Sequence, residues 1–507
     1  MQAESSGRGR TTSLLLSALT GLLVAAPWLD FSLYPAAWFA FAPLLVALVR
    51  ARSNREAILC GMAAGMGANV PAFWWLVYTI DVFGGFPILI AVFFYLGLSL
   101  FSAFQFGLFA AGIYRTGAGP LALGAPVLWV ALEFWYPNLF PWRMANSQLE
   151  LPVVMQIGDL TGPYGLSFIL VWVGAGLAAL VTSRRWQPLA AALVAAFAVA
   201  GYGQLRWPQI EAAVDASPAL RVGLVQGNVG IREKGNAAYF DINIEKYRSL
   251  SRPMQSEVDV LIWPETVSHE WIDERATHVT AEQHPFPDLT TPLIFGGLAY
   301  HYATSVEDAL RYNAAFLIDG GGRILGRYNK QILLPFGEYL PFSSWIPGLK
   351  SISPNTGDFS AGTDAVTLDL PNGGRIAPLV CYEDVPASIA RQMTGIGANV
   401  LMTIFNDAWF GDSMAPYQHE AIAVWRAIEN RRYFVRVGNA GDTGVVDPWG
   451  RIVDRLPLFT AESLTATIRL LEIETFYTRR GDVFAWTLTV IAAAWLVKRP
   501  RLAGDDT

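Results

Sequence analysis

Eight long apolar segments, seven of them crowded ahead of residue 206, constrain this chain more than any other feature. They run over roughly 12–29, 32–49, 57–80, 86–114, 120–136, 164–182 and 187–204, and the eighth over 483–497. Most reach the roughly 20 residues that an α-helix needs to cross a hydrocarbon core. A helix packed on a soluble core keeps a polar face, and these segments keep none. Only 15% of the 507 residues are charged, well under the roughly 25% usual for soluble domains. The segments read as a membrane α-helical bundle of eight spans, with 86–114 long enough to tilt or project.

Arginine gives the bundle an orientation. Arg8 and Arg10 precede the first segment, and Arg50, Arg52 and Arg55 separate the second and third. Arg115 follows the fourth, Arg184 and Arg185 the sixth, and Lys498, Arg499 and Arg501 the eighth. If all eight segments cross, these bases fall on one side, and the positive-inside rule makes that side cytoplasmic. Arg143 is the one base in the opposite loops. Both termini are then expected in the cytoplasm and residues 206–481 outside it, in the periplasm of a Gram-negative cell. The expected organisation is a seven-helix bundle over 1–205, an extramembrane domain over 206–481, and a last helix with a cytoplasmic tail over 482–507. Ala25-Ala26 offers a signal-peptide cleavage site, but a second apolar run follows within a few residues, so the first segment is expected to be retained.

Composition removes several function classes. A net charge of −6 with no basic tract argues against a nucleic-acid partner. The five histidines fall in no metal-ligand spacing, and two cysteines cannot build a zinc site. No metal and no cofactor is expected. Cys60 lies deep in an apolar run and Cys381 in the polar domain, so both read as free thiols.

From Leu220 the pattern changes to short β-rich runs: 220–226, 258–263, 293–298, 314–318, 375–381, 400–405, 434–437 and 444–446. Asp319-Gly320-Gly321-Gly322 followed by 323–328 predicts a hairpin. Helical patterns over 237–251 and 416–432 lie between strands that are apolar on both faces, which predicts sheets covered by helices.

Three strings in this domain carry candidate chemistry. Val260-Leu261-Ile262-Trp263-Pro264-Glu265 ends a strand in a carboxylate. Tyr328-Asn329-Lys330 leads into Leu333-Leu334-Pro335-Phe336-Gly337-Glu338-Tyr339. Cys381, in Val380-Cys381-Tyr382-Glu383, sits between a strand and a short helix pattern at 386–393, a place expected to favour thiolate. Singly, each has a bland reading: a solvated cap for Glu265, a small buried hydrophobe for Cys381. Lys330 is more telling, because the chain has five lysines against a strong preference for arginine. Together, a carboxylate, an ammonium and a thiol suit acyl transfer through a thioester.

In this order and context, the strings resemble the carbon–nitrogen hydrolase (nitrilase) superfamily, which carries a Glu–Lys–Cys triad in an αββα sandwich. Glu265 in Trp-Pro-Glu, Lys330 ahead of Pro-Phe-Gly-Glu, Cys381 in Cys-Tyr-Glu and the string Asn406-Asp407-Ala408-Trp409-Phe410-Gly411 all match it. With spans on both sides, the resemblance narrows to the apolipoprotein N-acyltransferases and covers nearly the whole chain. It implies Cys381 as nucleophile, Glu265 as general base and Lys330 as stabiliser of oxyanion and thiolate. Glu338 and Glu383 are implied as supporting carboxylates, with a structural ion pair as the alternative. Tyr382 would supply an oxyanion N–H. Asn406 would be a positioner or the head of an Asx-turn. Thr266, after the base, departs from the small residue common there.

The resemblance further implies a phospholipid acyl donor, a diacylglyceryl-modified apolipoprotein acceptor and a bilayer location. A site for lipids must sit near a membrane surface, and two stretches suit that task. Tyr339 to Leu349 is apolar and proline-rich, so Phe342 and Trp345 are expected on a lipid-facing arm or lid, with core packing as the alternative. Tyr136 to Arg143 falls in an outward loop, where Trp142 would anchor at the interface and Arg143 could meet a headgroup phosphate. A membrane-tethered amidase or nitrilase would use the same triad, but a tether needs one span. A transporter would need intramembrane charges or paired broken helices, but the segments hold few charges, Asp81 and Glu133 lying near outer ends, and show no paired breaks.

Overall fold

The computed structural model describes residues 2–117, 123–302, 309–341, 343, 345 and 357–497. Packing divides the chain into two compact units, one made of the N-terminal helices with the C-terminal helix and one centred on Pro208–Arg479.

In the first unit, α1 (Gln2–Leu29), α2 (Ala42–Val49), α3 (Asn54–Ala72), α4 (Leu76–Val82), α5 (Ile88–Thr116), α6 (Gly124–Trp135), α7 (Tyr164–Ser183) and α8 (Gln187–Ala216) follow one another. The apolar helix Val483–Val497 packs against α6. Five of the described helical segments are long and apolar enough to cross a membrane, or six if α3 and α4 form one span. The eight expected segments are all helical, but two fall short: α6 has 12 residues and Val483–Val497 has 15. The third segment is not one straight rod, because the chain bends by 59° between α3 and α4, just after Pro71. The seventh extends beyond its apolar stretch and continues helical to Ala216.

Lipid offers no hydrophobic drive between helices, so close packing must come from small residues. Here α3 meets α5 along Gly61 and Gly65: a Cβ on Gly61 would lie 2.3 Å from the Phe106 carbonyl, and one on Gly65 2.5 Å from the Ala103 Cα. Beside this seam, Phe41, Phe109 and Trp129 pack edge to face, with Phe41 and Trp129 centroids 4.5 Å apart, and Phe106 stacks near Phe41.

The second unit holds two sheets. The first has the strand order β13 (Glu462–Arg469), β1 (Ala219–Gln226), β2 (Val260–Ile262), β4 (Leu293–His301), β5 (Leu310–Ile318) and β6 (Ile324–Asn329), with β3 (Trp271–Asp273) also paired to β4. The second runs β12 (Ile452–Arg455), β11 (Gly444–Val446), β10 (Phe434–Gly438), β9 (Val400–Phe405), β8 (Arg375–Val380) and β7 (Leu368–Asp369). The sheets touch through β1 with β10 and β5 with β8. Helices α9 (Phe240–Ser251), α10 (Ala387–Gly395) and α11 (Ala415–Asn430) pack on this pair of sheets. Strands β9 and β10 are buried at every residue, as sheets covered on both faces require. The expected hairpin is β5–β6, with Asp319 accepting from the Gly321 and Arg323 amides.

Replacing Gly65 with leucine should separate α3 from α5 and lower the thermal stability of the detergent-solubilised protein by several degrees. Gly97→Leu, at a position of α5 with nothing within 4 Å of a new Cβ, should leave it unchanged. Thermal unfolding followed by tryptophan fluorescence checks both.

Candidate active site

Three strand ends of the second unit bring Glu265, Lys330 and Cys381 together. Glu265 follows β2, Lys330 follows β6 and Cys381 follows β8. Lys330 is 1% exposed, so its ammonium must find anions. Its Nζ lies 2.7 Å from Glu338 Oε2 and 3.9 Å from Glu265 Oε1. Burial opposes its charge, yet Glu338, Cys381 and Glu265 outweigh that and hold its pKa above the ordinary lysine value.

Asn313, in mid-β5, sets the two carboxylates. Its Nδ2 donates to Glu265 Oε1 at 2.7 Å and to Glu338 Oε1 at 2.8 Å. Glu338 reaches back because the chain turns tightly there: the Glu338 and Gly337 amides donate to the Leu334 carbonyl, and Phe336 has φ +66°. The Leu334 amide donates to Glu338 Oε2 at 2.8 Å.

Glu383 is a bolt between two of the strand ends. Its Oε1 accepts from the Tyr328 hydroxyl, the Gln331 amide and the Ile332 amide, and its Oε2 accepts from the Val380 amide. The loop carrying Lys330 is thus tied to the strand delivering Cys381. Burial pushes the Glu383 carboxyl up, against the pull of Lys330. Tyr382 follows the thiol in a 3-10 turn, Cys381–Asp384. Asn406, just after β9, accepts from Asn439 Nδ2 at 3.0 Å and so joins a buried network instead of heading an Asx-turn.

Cys381 has φ +53° and Thr266, beside Glu265, has φ +49°. With Phe336, these make three of the seven non-glycine residues with positive φ among the described residues. Each such residue costs on the order of 1–3 kcal/mol and persists only where its surroundings over-determine it. The strain is concentrated around the three side chains. Gly296 lies so close to this peptide that a Cβ on it would meet the Thr266 nitrogen at 2.4 Å, and nothing in the structure explains the threonine itself.

One expectation fails. The elbow was expected to favour thiolate, but burial pushes the Cys381 thiol well above its ordinary pKa. Glu265 adds to that shift and Lys330 opposes it only in part. The resting group is a thiol.

The sequence from 221 to 477 matches the family model described as carbon-nitrogen hydrolase, and 20–176 matches the apolipoprotein N-acyltransferase N-terminal domain. Among similar proteins, an apolipoprotein N-acyltransferase of Geobacter metallireducens is 32% identical, with 94% of each chain covered. Those of Azotobacter vinelandii and Pseudomonas putida are 33% and 32% identical, covering 96% and 98% of this chain and 95% and 97% of theirs. The chain belongs to the apolipoprotein N-acyltransferase family. It is thus an enzyme of the carbon–nitrogen hydrolase superfamily, built with the apolar helical unit that distinguishes apolipoprotein N-acyltransferases.

The residues expected to face lipid fare differently. Trp142 turns inward: it is 5% exposed, its ring 5.9 Å from that of Trp28 and 6.1 Å from that of Phe106. Its neighbours in the bundle offer more apolar contact than an interface would. Arg143 donates to the Tyr164 hydroxyl at 2.9 Å and lies over that ring. Trp345 is 79% exposed, whereas Phe342 lies outside the described residues.

Sequence reasoning missed Asn313, though a lone amide inside the apolar run Leu310–Ile318 was a signal for it. It also missed a charged cluster close to Cys381. His419, on α11, sits between Asp384 (Nε2 to Oδ1, 2.7 Å) and Asp407 (Nδ1 to Oδ2, 3.1 Å). Arg436 adds a 2.8 Å pair to Asp384. Burial opposes a charge on His419, but the two aspartates raise its pKa to about 10. A raised histidine contributes its full stabilisation below the unfolded value of about 6.5 and loses it as pH climbs through the folded one. The stability advantage of the native protein over His419→Gln should therefore be largest below pH 6.5 and shrink toward pH 10, as measured by thermal unfolding across that range.

Proposed function

We propose that this protein transfers a fatty acyl chain from a phospholipid, through a thioester on Cys381, to the α-amine of a diacylglyceryl-cysteine at the N-terminus of an apolipoprotein. The observation carrying this reading is the cluster of buried Glu265 and Lys330 with half-buried Cys381, knitted by Asn313 and Glu338, in a chain of the apolipoprotein N-acyltransferase family.

In the first half-reaction Glu265 takes the Cys381 proton as sulfur attacks the ester carbonyl. The developing oxyanion is stabilised by the Lys330 ammonium and the Tyr382 amide. Collapse breaks the ester C–O bond, Glu265 returns the proton to the departing oxygen, and lysophospholipid leaves. In the second half the neutral α-amine attacks the thioester carbonyl, Glu265 accepts the amine proton, and the C–S bond breaks to give an amide and the thiol. The raised thiol pKa suits this sequence, since proton and sulfur move together. The thioester keeps the activation of the ester, so the transfer consumes no further energy source. Glu338 and Glu383 act as supports that keep the ammonium charged and the two loops in register.

Such chemistry on lipids belongs at a membrane. The arginine alternation supports an inner-membrane location with both termini cytoplasmic and Pro208–Arg479 in the periplasm. The short apolar helices α6 and Val483–Val497 then complete eight spans.

Intact mass spectrometry of the full-length protein in micelles, after incubation with phosphatidylethanolamine, tests the reading. A fatty-acyl increment on Cys381, discharged by a diacylglyceryl peptide with a free α-amine, is expected. An adduct discharged only by water would mean a hydrolase. The exposed Trp345 is proposed to meet the lipid donor. Trp345→Ser should slow acylation of Cys381 by phospholipid about 10-fold while leaving its alkylation by iodoacetamide unchanged, which a rapid-quench time course resolves.

A further inference from the structure

A second lysine lies beside the site without a part in the reaction just described. Lys234 ends the one-turn helix Ile231–Lys234 that follows β1. Its Nζ donates to the main-chain carbonyl of Glu265 at 2.7 Å. The peptide it grips is an unusual one, since it leads directly into Thr266 at φ +49°. The preceding carbonyl, that of Pro264, is also held, by the Gly296 amide at 3.0 Å, and the Gly296 carbonyl accepts from the Val267 amide. The Pro264 carbonyl and the Val267 amide are thus fastened to β4, and the Glu265 carbonyl to Lys234. An ordinary amide could have served as donor there. An ammonium does more, because it also places a full positive charge near Glu265 and Cys381.

We propose that Lys234 is a positioning residue for the general base: it fixes the strained peptide from which Glu265 projects and supplies a second positive charge beside the Glu265–Cys381 pair. The inference rests on the assignment of Glu265 as base and Cys381 as nucleophile. The charge balance of the site supports it. Three carboxylates, Glu265, Asp407 and Glu338, raise the cost of ionising Cys381, and Lys330 is already paired with Glu338. Passing the Cys381 proton to Glu265 moves a negative charge onto sulfur beside Asp407 and Glu338, which a second cation nearby makes less costly.

The groups facing Lys234 are Glu265 and His269 from the segment after β2 and Cys381 from the turn after β8. On its own side, Glu233 pairs with Lys246 at 3.6 Å. His269, stacked on Phe240, is kept neutral because burial and Lys234 push its pKa down to about 4. Burial lowers the Lys234 pKa to about 8, against the pull of Glu265 and Cys381. The ammonium is therefore present below pH 8 and lost above it.

The test uses the full-length protein in micelles and reads the single-turnover rate of Cys381 acylation by phosphatidylethanolamine, from pH 6.5 to 9.5. Lys234→Met should slow acylation about 10–100-fold at pH 7 with little change in the half-saturating lipid concentration. Its deficit should narrow as pH rises through 8, where the native lysine loses its charge. Lys234→Arg, charged throughout, should recover most of the rate at pH 7 and keep it at pH 9. Equal rates and equal pH profiles for Lys234→Met and the native protein would overturn the proposal. Should Lys234→Met be recovered unfolded, Lys234→Gln, which keeps a donor and loses the charge, replaces it with the same two outcomes. Failure of the underlying assignment looks different: the native protein would then gain no acyl mass, or Cys381→Ala would gain as much.

Discussion

The buried ammonium of Lys330 is the interaction on which the candidate site depends. A lone charge at 1% exposure is not tolerated in a protein interior, so the fold must bring carboxylates to it. Glu338 comes on a tight turn and Glu265 on a strained strand end, and Asn313 holds both with one amide group. Stripping away one partner of such a pair typically costs about 3–5 kcal/mol. The turn at 334–339, the left-handed Phe336 and the left-handed Thr266 persist because that charge must be satisfied. What looks like a catalytic arrangement is also the solution to a solvation problem.

The same reasoning explains how the two sheets are joined around the site. Glu383 collects four donors from β8, from Tyr328 at the end of β6, and from the two residues after Lys330. The His419 cluster does the equivalent for the turns after β8 and β9, using Asp384 and Asp407 as handles. Both devices lie at strand ends, where the regular ladder stops supplying hydrogen bonds and side chains must take over.

Much of this was legible in the sequence, and the failures have physical causes. Apolar strands read correctly because β8, β9 and β10 are buried on both faces, which suppresses alternation. Among the three candidate residues, Glu265 and Cys381 were legible because each follows such a run, and Lys330 because it follows the hairpin in a chain that prefers arginine. Asn313, Lys234 and His419 were not singled out: their partners are 25 or more residues away for Asn313, 31 for Lys234, and 35 and 12 for His419. No local pattern encodes pairings of that span. The thiolate expectation failed for a related reason, since an elbow argues from local dipoles and the pKa is decided by burial and by Glu265. In the helical unit, hydropathy found every apolar segment but not the bend after Pro71, nor the inward turn of Trp142, because hydropathy reports how apolar a residue is and not which way it points.

The protonated state of Cys381 has a bearing on the lifetime of the protein. Oxidants and stray electrophiles react with thiolate, and a cysteine that exposes its thiolate continuously is exposed to sulfenic acid formation just as continuously. In the proposed reaction Cys381, kept as a thiol by desolvation, is ionised only when a carbonyl is in place to receive it and spends most of its time chemically quiet. The desolvation that makes this cysteine harder to ionise is thus also its protection between turnovers.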